Sequence, residues 1–202
     1  MRNFGFATVA LILFAANAQA VTVDFDGLVG FSGDSLDTDG FTFFGSPSGS
    51  FPNSLAVGVG VFGPSEVLVW VSQTTLSVSS TSGLDFALNS FDLGFGNTNI
   101  IDPTDESMEI IGFLSGGGTV SMKVLFPLAI QGSIIPVVFD NQWAGLSRVD
   151  IVFNDVGAFG GGLDNVDLTP VPLPAGIVLF LSALAGCLGL RIFRKPVSNS
   201  GF

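Results

Sequence analysis

Apolar and polar residues alternate with a period of two along most of this chain, in short runs separated by glycine, serine and asparagine. Leu76-Ser77-Val78, Phe91-Asp92-Leu93-Gly94-Phe95 and Val149-Asp150-Ile151-Val152-Phe153 each put one residue type on each face, as half-buried strands do. The same pattern predicts strands over 21–25, 41–44, 56–62, 67–71, 108–114, 119–124, 137–139 and 163–168. Asp39-Gly40, Gly63-Pro64, Gly116-Gly117-Gly118 and Gly160-Gly161-Gly162 supply turn signals between them. No amphipathic helix intervenes, so the strands have no crossover elements and must pair mostly antiparallel. The expected fold is all-β, an antiparallel, jelly-roll-like β-sandwich. Residues 97–107 read as a long surface loop. Residues 125–136 are apolar but broken by Pro127 and Pro136, which predicts an edge strand or a covering loop.

The two ends follow a different pattern. Arg2, an apolar core over 4–16 and Ala18-Gln19-Ala20 form a secretory signal helix with cleavage before Val21. Export machinery and signal peptidase are the implied partners. Near the other end, residues 175–190 carry no charge and make about 24 Å of helix at ~1.5 Å per residue. That is short of the ~30 Å hydrocarbon core, but Ile192 and Phe193 extend it and Arg191 can snorkel, so a transmembrane helix over about 175–193 is predicted. Arg191, Arg194 and Lys195 favour the cytoplasmic side, which leaves the sandwich across the membrane. The chain thus divides into a signal peptide (1–20), a β-sandwich ectodomain (21–169) and a C-terminal segment (170–202).

Charge sharpens this division. All 17 Asp and Glu lie between Asp24 and Asp167, against only Lys123 and Arg148, so the ectodomain has a net charge of −15. Such a domain repels phosphate backbones, which excludes nucleic acid as a partner and favours neutral or cationic polymers. Histidine is absent and the single cysteine, Cys187, lies in the C-terminal apolar run. Ser-His-Asp and Cys-His nucleophiles and His-zinc sites are therefore excluded. Paired carboxylates are what remains for catalysis, and Glu66, Glu106 and Glu109 stand in no recognisable motif. The chain is read as not an enzyme.

Val171-Pro172-Leu173-Pro174-Ala175, the apolar helix and the basic cluster Arg191, Arg194 and Lys195 resemble the C-terminal sorting signal of the VPLPA-CTERM class, a variant of the PEP-CTERM signals. The resemblance covers residues 171–195; Gly176 and the extension 196–202 depart from the usual pattern. It implies a Gram-negative bacterium, processing by an exosortase, which is a membrane-embedded transpeptidase-like protease, and delivery to the cell surface or an extracellular matrix. Two prolines would hold the peptide before the helix extended and accessible.

The ectodomain resembles the glycine-rich sandwiches that accompany such tails. Val23-Asp24-Phe25-Asp26 and Leu163-Asp164-Asn165-Val166-Asp167-Leu168 are similar to the first and last strands of carbohydrate-binding jelly rolls. That resemblance implies neighbouring terminal strands and a closing-strand Asp at a structural calcium. Asp34-Ser35-Leu36-Asp37-Thr38-Asp39-Gly40 fails the EF-hand template, so the candidate Ca2+ ligands are Asp24, Asp26, Asp34 and Asp164. Trp70 lies inside an apolar run and reads as core. Trp143, between Asn141-Gln142 and Ala144-Gly145, is the candidate carbohydrate-binding aromatic.

The leading expectation is a non-catalytic surface or extracellular-matrix protein, exported and then held transiently in the membrane until exosortase-type processing. The alternative is a lectin-like module for extracellular polysaccharide, and a carboxylate-based glycoside hydrolase ranks third.

Overall fold

The structure, a computed structural model, describes residues 19–46, 54–59, 66–70, 74–95, 107–125, 134–153 and 161–171. These all fall in one compact unit, Ala18–Val171. Residues 1–18 of the expected signal peptide, residues 97–106 of the loop expected over 97–107 and the expected C-terminal span lie outside the described residues, among which no helix is long and apolar enough to cross a membrane; Ser107 opens a strand instead of closing a loop.

The described residues of this unit form thirteen strands. They are β1 (Val21–Val23), β2 (Ser32–Gly33), β3 (Ser35–Thr38), β4 (Phe41–Gly45), β5 (Leu55–Val59), β6 (Glu66–Trp70), β7 (Thr75–Ser80), β8 (Phe86–Phe95), β9 (Ser107–Leu114), β10 (Thr119–Leu125), β11 (Ile134–Val138), β12 (Leu146–Phe153) and β13 (Gly161–Pro170). A single 3-10 turn, Asn141–Trp143, precedes β12.

Every pairing is antiparallel, and the strands sort into two layers. The front sheet runs β10-β9-β12-β7-β4-β3. The back sheet runs β11-β8-β13, then β6 beside the first part of β13 and β1 beside the last part, then β5 and β2. Leu146↔Phe86 bridges the two. From β7 onward the chain passes repeatedly between layers, which is the jelly-roll-like sandwich expected from period-two strands without helices. β1 closes against β13 through Val21↔Leu168, Thr22↔Asp167 and Val23↔Val166, so the terminal strands are neighbours.

The core lies between the layers. Edge-to-face pairs cross it, Phe25 with Phe43 at 5.1 Å and Phe41 with Phe86 at 5.5 Å between centroids. A gap of about 10 Å³ lies between Val78, Val149 and Ile151 of the front sheet and Leu88, Phe91 and Leu163 of the back. It is apolar and about the size of one water, so it holds no substrate.

Turns follow their residues. Asp39 and Gly40, with φ 51° and 83°, join β3 to β4 in a two-residue hairpin that needs positive φ at both positions. Gly161 and Gly162 instead open β13, correcting the turn expected there. A Cβ at Gly161 would clash with the six-membered ring of Trp70, so this glycine is required by close approach and not by a turn.

Candidate functional site

The sequence-predicted cation ligands do not converge. Asp24 and Asp26 are exposed, and Asp24 Oδ1 accepts the Asp26 amide at 3.1 Å. Asp34 Oδ1 accepts both the amide and the hydroxyl of Ser54, each at 2.9 Å, which ties the loop after β2 to the start of β5. Asp164 is buried in β13 and accepts the Asn165 amide at 2.8 Å. Among the described residues no three Asp, Glu, Cys or His side chains form a group that could hold a metal ion, and the carboxylates of Asp24, Asp34 and Asp164 each accept a bond from a different neighbour.

Trp143 also departs from expectation. Asp140 caps the 3-10 turn by accepting the Gln142 amide at 2.9 Å, and this turn aims the indole inward. The ring packs on Phe139 at 4.6 Å and reaches the space left by Gly112, whose Cβ would stand 3.1 Å from Trp143 Cζ3. At 2% exposure it offers no face to a sugar. Trp70, at 1%, is core as read from its flanking residues. Ala20 is exposed and Val21 opens β1, so the expected cleavage falls at the strand's edge. Of the sorting motif only Val171 is described, donating its amide to the Asp85 carbonyl at 2.7 Å; Pro172, Leu173, Pro174, Ala175, Arg191, Arg194, Lys195 and also Ala18 lie outside the described residues.

A different set of residues comes together on the outer face of the front sheet. Ser121, Ile111, Asp150, Ser77, Phe44 and Ser35 are successive cross-strand partners, one row across six strands. At ~4.8 Å per strand the row is about 24 Å long. Beside it, Thr119, Phe113 and Arg148 form a second row, and Thr42 and Asp37 flank the far end.

These side chains hold one another. The Arg148 guanidinium carbon sits 4.1 Å from the Phe113 ring centroid, and Arg148 Nε reaches Asp150 Oδ1 at 3.0 Å. The same carboxylate oxygen accepts the Ser77 hydroxyl at 2.7 Å, while Thr42 donates to Asp37 at 2.6 Å. With the Arg148 side chain 47% exposed, the ion pair contributes only ~0–1 kcal/mol to stability. Its effect is to hold the half-exposed guanidinium over the ring. Phe44 is 42% exposed. Both cations within residues 21–169, Lys123 and Arg148, stand on this face.

A backbone irregularity creates the arrangement. The register with β9 shifts between Leu146 and Arg148, a bulge that accommodates Ser147. Leu146 and Val149 can then both point into the core, and Arg148 is turned outward beside Phe113. Strict alternation from Leu146 would have sent Arg148 inward. The signal in the sequence was the unbroken polar pair Ser147-Arg148 between two apolar residues.

No protein-family model matches the chain, and no curated protein matches it. Among solved structures, a family 29 carbohydrate-binding module shares 11% identity at a TM-score of 0.42, covering 76% of this chain and 88% of that one. Variants of such a module complexed with mannohexaose (14% identity, TM-score 0.39) and with cellulohexaose (12%, 0.41) each cover 76% of this chain and 92% of theirs. At this depth of similarity the ligands of those modules say nothing about the ligand of this chain.

Proposed function

We propose that this protein is a non-catalytic sandwich that binds an extended, neutral polysaccharide across the outer face of its front sheet. The observation that carries the reading is the row from Ser121 to Ser35 with Phe113, Arg148 and Phe44 beside or within it. Sugar rings present apolar C–H faces and hydroxyl rims. Exposed Phe44 supplies an apolar surface, Arg148 fixed donors, Asp150 an acceptor, and Ser77, Ser35 and Ser121 hydroxyls of both kinds. The row crosses all six described strands of the front sheet, which suits an extended polymer, and the charge of −15 over residues 21–169 disfavours a polyanion.

Isothermal titration of the full chain with oligosaccharides from the producing cell's own extracellular polymer tests this. Arg148→Ala and Phe44→Ala should each weaken binding about 10-fold, from the loss of ~1–2 kcal/mol of hydrogen bonding or ring contact. Absence of heat at millimolar sugar, or unchanged affinity in the double variant, would overturn the reading.

The destination belongs to the tail. The motif Val171 to Ala175, the apolar run and the basic cluster support export, transient membrane anchoring and exosortase-type processing, ending at the cell surface or in the matrix. Intact mass of the native protein from cells with and without the processing enzyme should differ at the C-terminus. Identical masses would remove the sorting claim.

A further inference from the structure

β10 is the outermost strand of the front sheet and, among the described strands, bonds only to β9. Leu114 donates to the Gly118 carbonyl at 3.1 Å, which makes these two a hydrogen-bonded pair. Antiparallel alternation then directs the backbone groups of Val120, Met122 and Val124 toward β9. The N–H and C=O groups of Thr119, Ser121, Lys123 and Leu125 point away from the sheet. The other outer strands carry protection: β11 has Pro136 at its centre, β2 is two residues long, and β3 is four with Asp37. β10 is seven residues long and has neither proline nor glycine. Its inner side chains, Val120, Met122 and Val124, are only half-buried.

We propose that β10 pairs with β10 of a second copy of this chain, antiparallel, about a two-fold axis through Met122. In this register Thr119 faces Leu125, Ser121 faces Lys123, Val120 faces Val124 and Met122 faces itself. The outward-directed residues meet in pairs that exchange both backbone bonds, and every inner apolar side chain meets another. The strand's one charge meets a hydroxyl, whereas an axis through Lys123 would oppose two ammonium groups. Lys123 also lies across from Glu109 within its own sheet, which tempers it as an edge-blocking charge. The product is a twelve-stranded front sheet in which two outer faces become continuous. Such a dimer would bind a long polymer at two places at once. The pairing itself does not depend on the polysaccharide reading.

Disulfide trapping in the full chain, purified in detergent with Cys187→Ser to remove the native thiol, tests the register. Met122→Cys should form a covalent dimer under mild oxidation, because its facing Cα atoms would be about 4.5–5.5 Å apart. Val124→Cys should not, since the two thiols would be separated by about 13 Å along the strand. In sedimentation equilibrium, Ser121→Lys should weaken the dimer about 3- to 10-fold by opposing Lys123 of the second copy, and Ser121→Asp should strengthen it by a similar factor. A monomer at the highest soluble concentration, equal trapping at Met122→Cys and Val124→Cys, or the same dimer dissociation constant for the two Ser121 variants would each overturn the proposal.

Discussion

Gly161 and Gly112 occupy inner positions where any side chain would displace a neighbour. At Gly112 a Cβ would lie 2.8 Å from Leu146 Cδ2 and 2.9 Å from Val120 Cγ1, and at Gly161 it would overlap the Trp70 indole. Gly161→Ala should therefore lower the unfolding free energy by about 1–3 kcal/mol through overpacking. Trp143→Ala should lower it by about 3–5 kcal/mol through the cavity left beside Phe139. Urea titrations of the purified full chain check both, and an unchanged midpoint in Trp143→Ala would contradict its burial. Trp70 was legible as core because four apolar neighbours flank it. Trp143 was not, because its burial depends on Gly112 on another strand, and no local pattern links the two.

At the scale of elements, irregular strands decide what faces where. Ser147 is the inserted residue that lets Leu146 and Val149 share the core and turns Arg148 outward. Deleting Ser147 would force Arg148 inward or Leu146 outward, at a loss of about 3 kcal/mol or more. A fall of about 10 °C in the melting temperature, together with loss of polysaccharide binding, is the expected result. Regular strands such as β7 and β9 were readable from alternation alone. β8 was read only from Phe91 onward, because its pairing with β13 shifts around Asn165, which has φ 48°, and the buried parity changes between Leu88 and Phe91. β2 and β3 escaped notice because two and four residues are too few to show a period.

The whole molecule has a net charge of −11, and its dominant long-range term is the −15 carried by residues 21–169. Self-repulsion of that kind is screened with a length of ~10 Å at 0.1 M salt. The melting temperature should therefore be higher in 200 mM than in 10 mM sodium chloride. Since Asp24, Asp34 and Asp164 each accept from a different neighbour and no three carboxylates group among the described residues, calcium should stabilise no more than magnesium at equal concentration. A calcium-specific rise in a thermal melt would contradict this. The sandwich class was legible because alternation without helices leaves few alternatives. The face proposed to bind polysaccharide was not, because its row comes from five separate strand pairings that no sequence window contains.

The closing strand has a mechanical consequence. β13 leads directly into the C-terminal segment and is bonded on both flanks, to β8 along most of its length and to β6 and β1 in succession. A pull on the tail while the front sheet is held by a ligand loads β13 lengthwise, so its ladder bonds resist together in shear. Separating Val21 from Pro170 would instead peel β1 away bond by bond, since both ends leave from the same edge. Under the proposed removal of the signal peptide and anchoring by the tail, tension enters through β13, the strand bonded on both flanks.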